Sequence, residues 1–120
     1  MHSFLTLKHF KGLFTKINKS RKLKAYFDNI TCEIKWENKK ISTLYGCTFY
    51  ITEKEIIINN KELEEEYGVN YLRIKYKDIT HTDHDYLTLW IYFIYKTENE
   101  MELKIQNCPL VLRCHIHNLL

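Results

Sequence analysis

Histidine and aspartate are concentrated in one short stretch of the chain, as His81, Asp83, His84 and Asp85. These side chains are metal ligands, and a zinc site needs three or four of them to converge. Asp and His are also common turn residues, and neighbouring side chains in a hairpin diverge. The pattern therefore predicts a turn over residues 80–85, with no metal and no other cofactor.

Further metal ligands stand near the C-terminus, as Cys114, His115 and His117. In a helix the two histidines would point about 200° apart, so they do not form a site with each other. No Gly-rich phosphate loop, G-x-S-x-G or H-E-x-x-H motif occurs in the chain. We therefore expect no catalytic residues and no enzymatic activity.

Four cysteines occur without a C-x-x-C pair, at positions 32, 47, 108 and 114. Cys32, Cys47 and Cys114 fall at positions that the hydrophobic pattern predicts to be buried, where cysteine behaves as a small apolar residue. Reduced, structural thiols in a cytoplasmic protein are the expectation.

No apolar run reaches 18 residues, so no transmembrane segment is predicted. The abundance of Ile, Asn, Lys and Tyr favours an A/T-rich source, such as a low-GC bacterium or a phage.

Charge is strongly segregated along the chain. Residues 1–24, called here the basic segment, carry seven cations and no acidic residue, whereas the remaining 96 residues carry 11 basic and 15 acidic side chains. A clustered charge creates a local field that the net charge of +3 conceals. The segment predicts a binding site for an anionic partner, formed by Lys8, Lys11, Lys16, Lys19, Arg21, Lys22 and Lys24.

The spacing of apolar residues along the chain also changes near residue 24, where the basic segment ends. Apolar residues recur at steps of three and four over residues 3–18, which predicts an amphipathic helix with lysines opposite its apolar stripe. Two interpretations stay open for this helix. Its stripe could insert into an anionic membrane surface, or it could dock on the body of the protein. The second interpretation would cover an apolar outer strand face predicted at Trp90, Tyr92 and Ile94, which could equally form a homodimer interface.

From residue 25 onward the period is two, which is typical of half-buried strands. Apolar residues alternate with polar ones at 30–36, 47–52, 72–76 and 101–105, while 86–96 is apolar on both faces. A tight turn at residues 53–54 leads into a further strand predicted at 55–59. Gly46 indicates a bulge or a close backbone approach. Asn107 and Pro109 predict the start of a C-terminal helix whose inward residues include Leu110, Val111 and Cys114.

This order of elements predicts a mainly β, α+β fold. Its sheet would have six to seven short antiparallel strands and would curl into a sandwich or partial barrel. An N-terminal amphipathic helix and a C-terminal capping helix would complete it. We expect the basic segment, 1–24, to be attached to one compact β domain over 25–120.

The body resembles a bacterial PH-like domain of the GRAM type. The resemblance rests on the stretch 45–52 (YGCTFYIT) followed by 56–58 (III), and on 74–79 (IKYKDI). It covers about residues 26–120, although Glu55 stands where the family's hairpin motif carries an arginine. The resemblance implies a non-catalytic scaffold that binds lipids, peptides or proteins. It also marks a secondary basic site at the first inter-strand connection, formed by Lys35, Lys39 and Lys40, with solvated surface lysines as the simpler interpretation.

These observations favour a non-enzymatic binding module in the cytoplasm, peripheral at the inner face of the membrane. Its basic segment would engage an anionic membrane surface or a protein partner. One alternative is a phage- or plasmid-type inhibitor, or a bacteriocin-immunity protein, that occludes one macromolecular partner. The other is a nucleic-acid binder that contacts phosphates without reading sequence.

Overall fold

The computed structural model describes residues 23–64, 71–95 and 99–120. Within these ranges the chain forms seven β-strands, a short 3-10 helix (Tyr76–Asp78) and a C-terminal α-helix, α1. The strands are β1 (Leu23–Lys35), β2 (Ile41–Thr52), β3 (Glu55–Asn59), β4 (Tyr71–Lys75), β5 (Ile79–His84), β6 (Leu89–Ile94) and β7 (Glu100–Ile105), and the helix spans Leu110–Leu119. The helix predicted over residues 3–18 lies outside the described residues.

All seven strands belong to one antiparallel sheet, in the order β4-β3-β2-β1-β7-β6-β5. The sheet is not closed, because β4 and β5 are its two edges in the described part of the chain. The long strand β1 pairs with β2 between Leu23 and Lys35, but with β7 only from Cys32 onward. β1 therefore connects the β2–β4 half of the sheet to the β5–β7 half.

One apolar cluster unites the inward face of the sheet with α1. It includes the alternating residues that the sequence predicts for β1, β2 and β7, and all of them are buried: Ile30, Cys32, Ile34, Trp36, Cys47, Phe49, Ile51, Met101, Leu103 and Ile105. Alternation works for these strands because successive side chains point to opposite faces. The prediction of a mainly β fold with a C-terminal helix is confirmed.

The pairing of β1 with β2 is irregular, as predicted at Gly46. Register passes from Ile30 opposite Cys47 to Cys32 opposite Leu44, which places one extra residue in β2. Gly46 has a φ of +67°, and Asn29 on the opposite strand has a φ of 55°. A positive φ suits glycine and, less strongly, asparagine. The predicted bulge is confirmed.

A second, smaller cluster lies on the sheet face opposite the main core. Tyr50 and Ile57 are buried there, with Leu23 and Tyr71 packed against them. The strand β3 is consequently buried along its whole length. The same face contains a buried ion pair between Glu55 and Arg73, and this polar pair faces away from the main core.

A turn was predicted over residues 80–85, but residues 80–84 belong to an edge strand, so that prediction is wrong for them. β5 spans Ile79–His84 and pairs with β6 alone. Its side chains are exposed or partly buried, and an edge strand needs no fully apolar face because solvent covers it. The turn instead lies at residues 85–88, and β6 begins only at Leu89.

The helix α1 forms where predicted, but its inward face differs. Leu112 and Ile116 are buried, whereas Leu110, Val111 and Cys114 are exposed. The predicted inward set is therefore wrong. Asn107 does not cap the helix; Pro109 is the N-cap, and no side chain provides a capping hydrogen bond. None of the helices in the described ranges is long and apolar enough to cross a membrane.

Candidate functional site

The basic segment meets the sheet at the start of β1. Lys24 is its one cation among residues 23–64, 71–95 and 99–120, and it is exposed between the partly buried Leu23 and Ala25. The predicted binding residues Lys8, Lys11, Lys16, Lys19, Arg21 and Lys22 lie outside the described residues. Lys24 therefore marks the point at which the basic segment joins the β body.

The loop between β1 and β2 contains two of the three lysines of the predicted secondary basic site. The loop is tight, because Trp36 N donates to Lys40 O at 2.8 Å and Lys39 N donates to Trp36 O at 2.9 Å. Lys39 has a φ of 71°, and both Lys39 and Lys40 are exposed. Lys35 instead lies within β1, partly buried and opposite Glu102 of β7. The structure thus separates Lys35, which borders a carboxylate, from the two lysines in the loop.

The outer face of β6 is bordered by charged side chains. Trp90, Tyr92 and Ile94 are each partly buried and alternate with the buried inner residues of the strand. Register places Asp83 opposite Trp90 on one side and Glu102 opposite Tyr92 on the other. The predicted docking or dimer face is therefore a narrow apolar row between polar neighbours.

Tyr92 has a polar neighbour on each adjacent strand, namely His81 of β5 and Glu102 of β7. His81 stacks on its ring with the centroids 4.2 Å apart, and His81 Nδ1 lies 3.8 Å from Glu100 Oε2. Desolvation raises the pKa of Tyr92, and the negative charge of Glu102 adds to that shift. A partner docking on this face would have to compete with the His81 stack.

A different apolar surface, which the sequence pattern did not predict, lies where the β5–β6 turn meets the start of α1. It is called here the turn–helix patch and consists of Tyr86, Leu87, Leu110 and Val111. The four side chains are exposed to 91%, 53%, 70% and 60% respectively. Apolar residues at helix and strand periods are normally assigned to the core, which is why the pattern missed this surface.

Two long-range hydrogen bonds bring the halves of the turn–helix patch together. Cys108 N donates to Leu87 O at 2.8 Å, and Arg113 Nη2 reaches Tyr86 O at 3.5 Å. The first bond lies just before the helix and the second within its first turn. Together they hold the turn beside the helix start.

The turn itself is organised by Asp85. Its Oδ1 accepts hydrogen bonds from Leu87 N at 2.9 Å and from Thr88 N at 2.8 Å, while Asp85 N donates to Thr88 O at 3.0 Å. The bonds from Leu87 and Thr88 lower the pKa of Asp85 because they stabilise its ionised form. The Asp85 carboxylate thus accepts hydrogen bonds from the turn backbone, which fixes Tyr86 and Leu87 at the tip of the turn.

An open pocket of about 250 Å³ lies beside the β2 bulge. Its lining includes Tyr45, Asn60 and Lys61. Asn60 Nδ2 donates to Tyr45 O at 2.8 Å and contacts Cys47 Sγ at 3.3 Å. The Asn60 side-chain amide therefore connects the lining of this pocket to the buried thiol of Cys47.

Cys32 and Cys47 approach each other in the core, with the sulfur atoms 3.7 Å apart. The contact between the two sulfur atoms, together with burial, raises the pKa of Cys32, while the same contact lowers the pKa of Cys47. Both residues are completely buried, which denies a substrate access to either sulfur. All four cysteines are free thiols; Cys108 is buried and Cys114 is exposed, contrary to the prediction for Cys114.

The candidate metal ligands are dispersed. His84 of β5 and His117 of α1 have ring centroids 5.8 Å apart, but Asp85 is occupied by the turn and His81 by Tyr92. Across the described parts of the chain, no group of three or more His, Cys, Asp and Glu side chains is placed to hold a metal ion.

Comparison with protein-family models gives no match, and comparison with curated proteins gives no significant one. Function must consequently be inferred from the chain's own charge and surface. Two features carry that inference, namely the basic segment and the turn–helix patch. The first is a property of the sequence, and the second arises from the tertiary structure.

Proposed function

We propose that this chain is a non-enzymatic, PH-like binding module that engages an anionic membrane surface through its basic segment. The observation that carries the proposal is the segregation of seven cations, without one acidic residue, at one end of the chain. An anionic surface attracts such a segment with up to about 1 kcal/mol for each Lys or Arg near it.

The PH-like assignment has support from the order of the elements. The stretch 45–52 falls within β2, the stretch 56–58 falls within β3, and the last strand is followed by a C-terminal helix. We further propose that the open sheet curls around its core as a partial barrel. A single cluster that contains residues of β1, β4, β6 and α1 supports this curvature.

Vesicle cosedimentation tests the membrane proposal. We expect binding to phosphatidylcholine vesicles to rise when phosphatidylserine is added, and to fall as NaCl is raised from about 0.1 to 0.5 M because the Debye length shortens from about 10 Å to a few ångströms. A fourfold Lys→Gln variant at positions 8, 11, 16 and 19 should lose at least about tenfold in affinity.

The matched control changes net charge by the same amount elsewhere. It carries Lys→Gln at four exposed positions of the body, namely 54, 61, 75 and 77, and should keep most of the affinity. Equal losses in both variants would show that net charge, and not the basic segment, drives binding. Absence of binding to any vesicle would refute the membrane proposal.

Two further assays separate the alternatives. A gel shift with mixed-sequence DNA at low salt, in the absence of vesicle binding, would favour the nucleic-acid hypothesis. Recovery of one stoichiometric protein by the wild type, and not by the segment variant, would favour a protein partner. That second result is what an inhibitor or immunity protein would give.

A further inference from the structure

We propose that the turn–helix patch is a second membrane contact, which inserts apolar side chains into the interface of the same anionic bilayer. This inference rests on the proposed membrane function and adds a site on the β body to it. The patch consists of Tyr86 and Leu87 at the tip of the β5–β6 turn and of Leu110 and Val111 at the start of α1. Its chemistry is apolar, in contrast to that of the basic segment.

The size of the patch favours a lipid partner over a second copy of the chain. Four side chains of these types, exposed as they are, present roughly 400–500 Å² of mostly apolar area, which is within the range of the largest apolar patch on a typical monomer. A stable protein–protein interface takes about 800 Å² from each partner. Insertion into a bilayer has no such requirement, because each apolar group that enters the hydrocarbon boundary contributes by itself.

Most backbone N–H and C=O groups of the turn already have hydrogen-bond partners within the protein. An unsatisfied N–H or C=O group is costly at a lipid boundary. Here Leu87 N and Thr88 N both donate to Asp85 Oδ1, and Asp85 N donates to Thr88 O. The carbonyls of the two tip residues, Tyr86 and Leu87, accept bonds from α1 and from the residues just before it. The tip can therefore present its side chains to lipid while most of its backbone polar groups stay paired.

The residue types suit the lipid interface. Tyr86 is the most exposed large apolar residue among those described, and tyrosine concentrates at the headgroup level because its ring is apolar and its hydroxyl is polar. Arg113 lies beside the patch through its bond to Tyr86 O. Its charge complements anionic headgroups, whereas the exposed carboxylate of Asp85 in the same turn carries the opposite charge. An apolar contact together with a polybasic segment also meets the need for two signals in stable peripheral anchoring.

The test compares two double variants of the full chain on vesicles of phosphatidylcholine that contain phosphatidylserine at about one third of the lipid. The patch variant carries Tyr86→Ser and Leu110→Ser. The control carries Tyr45→Ser and Ile41→Ser, a Tyr and an aliphatic residue that are also well exposed but lie on β2. We expect the patch variant to bind about tenfold more weakly than the wild type, with an unchanged dependence on salt. The control should bind like the wild type.

A spectroscopic readout reports insertion directly. The Tyr86→Trp variant should show a blue-shifted emission and quenching by brominated lipid when vesicles are added, beyond any change of the native tryptophans in the wild type. The Tyr45→Trp variant should show neither effect. Circular dichroism and thermal unfolding of each variant establish that the fold is intact.

The outcomes separate the two proposals. If the patch variant and the control bind alike while the Lys→Gln segment variant loses affinity, the basic segment is the membrane site and the patch inference is wrong. If the patch variant loses affinity while the segment variant does not, the patch is the site and the proposed role of the segment fails. No binding by the wild type refutes both. Concentration-dependent dimerisation that the patch variant abolishes, without an emission shift of the Tyr86→Trp variant on vesicles, would overturn the lipid assignment in favour of a second copy.

Discussion

Replacing Arg73 by methionine should destabilise the fold by about 3 kcal/mol, because it removes the charge partner of a buried carboxylate. The side chain of Glu55 is 0% exposed, and that of Arg73 is 33% exposed. Arg73 Nε donates to Glu55 Oε1 at 2.9 Å and Nη2 donates to Oε2 at 2.5 Å. This two-point hydrogen bond, assisted by charge, also raises the pKa of the guanidinium.

The magnitude follows from the burial of the two partners. Removing one partner of a fully buried pair typically costs about 3–5 kcal/mol, since the remaining charge is left in a low-dielectric site. Arg73 is partly exposed, so water can reach the vacated position, which places the cost at the lower end of that range. In a domain of 120 residues, such a loss should lower Tm by roughly 10 °C.

Urea unfolding followed by circular dichroism measures the effect. Lys75→Met is the matched control, because it removes an exposed cation from the same strand and should cost less than about 0.5 kcal/mol. The double variant Glu55→Gln/Arg73→Met should be more stable than Arg73→Met alone, since the buried charge is gone. A cost for Arg73→Met below about 1 kcal/mol, or no recovery in the double variant, would refute the reasoning.

Two further predictions concern the bulge and the turn. Gly46→Ala should cost about 1 kcal/mol in urea unfolding and Gly46→Asn less, because φ is +67° and an added Cβ meets nothing closer than Asn29 Oδ1 at 4.0 Å; equal stability of Ala and Gly would contradict a purely conformational cost. The folded pKa of Asp85 is depressed below its ordinary 3.8, so its stabilising contribution is present above that value and is lost as pH falls through the folded pKa. Thermal melts from neutral to strongly acidic pH should therefore show the Tm difference between wild type and Asp85→Asn shrinking with acid, and a constant difference would contradict this linkage.

The period of apolar residues was sufficient to predict much of the sheet. In β1, β2 and β7 one face is apolar and the other polar, so the alternation alone identified Ile34, Phe49 and Leu103 as core residues. The bulge at Gly46 was also predictable, because glycine within a strand marks a conformation that other residues resist. These are local properties, which each segment carries with it.

The edge strand β5 was not predictable in this way. Its sequence, ITHTDH, has neither an apolar face nor an apolar run. It becomes a strand because β6 offers it hydrogen-bonding partners, such as Trp90 opposite Asp83. Pairing across the sheet therefore decides its conformation, and that information lies in another part of the chain.

Of the two candidate binding surfaces, one could be predicted from the sequence and the other could not. The basic segment can be recognised from the sequence alone, because the order of charged residues along the chain does not depend on the fold. The turn–helix patch exists only in the tertiary structure, where the bond from Cys108 N to Leu87 O joins two distant positions of the chain. With α1 docked so that Leu112 and Ile116 pack into the core, Leu110 and Val111 are left at the surface. Periodicity shows that a helix has an apolar side, but only the contacts of that helix determine which apolar residues it buries.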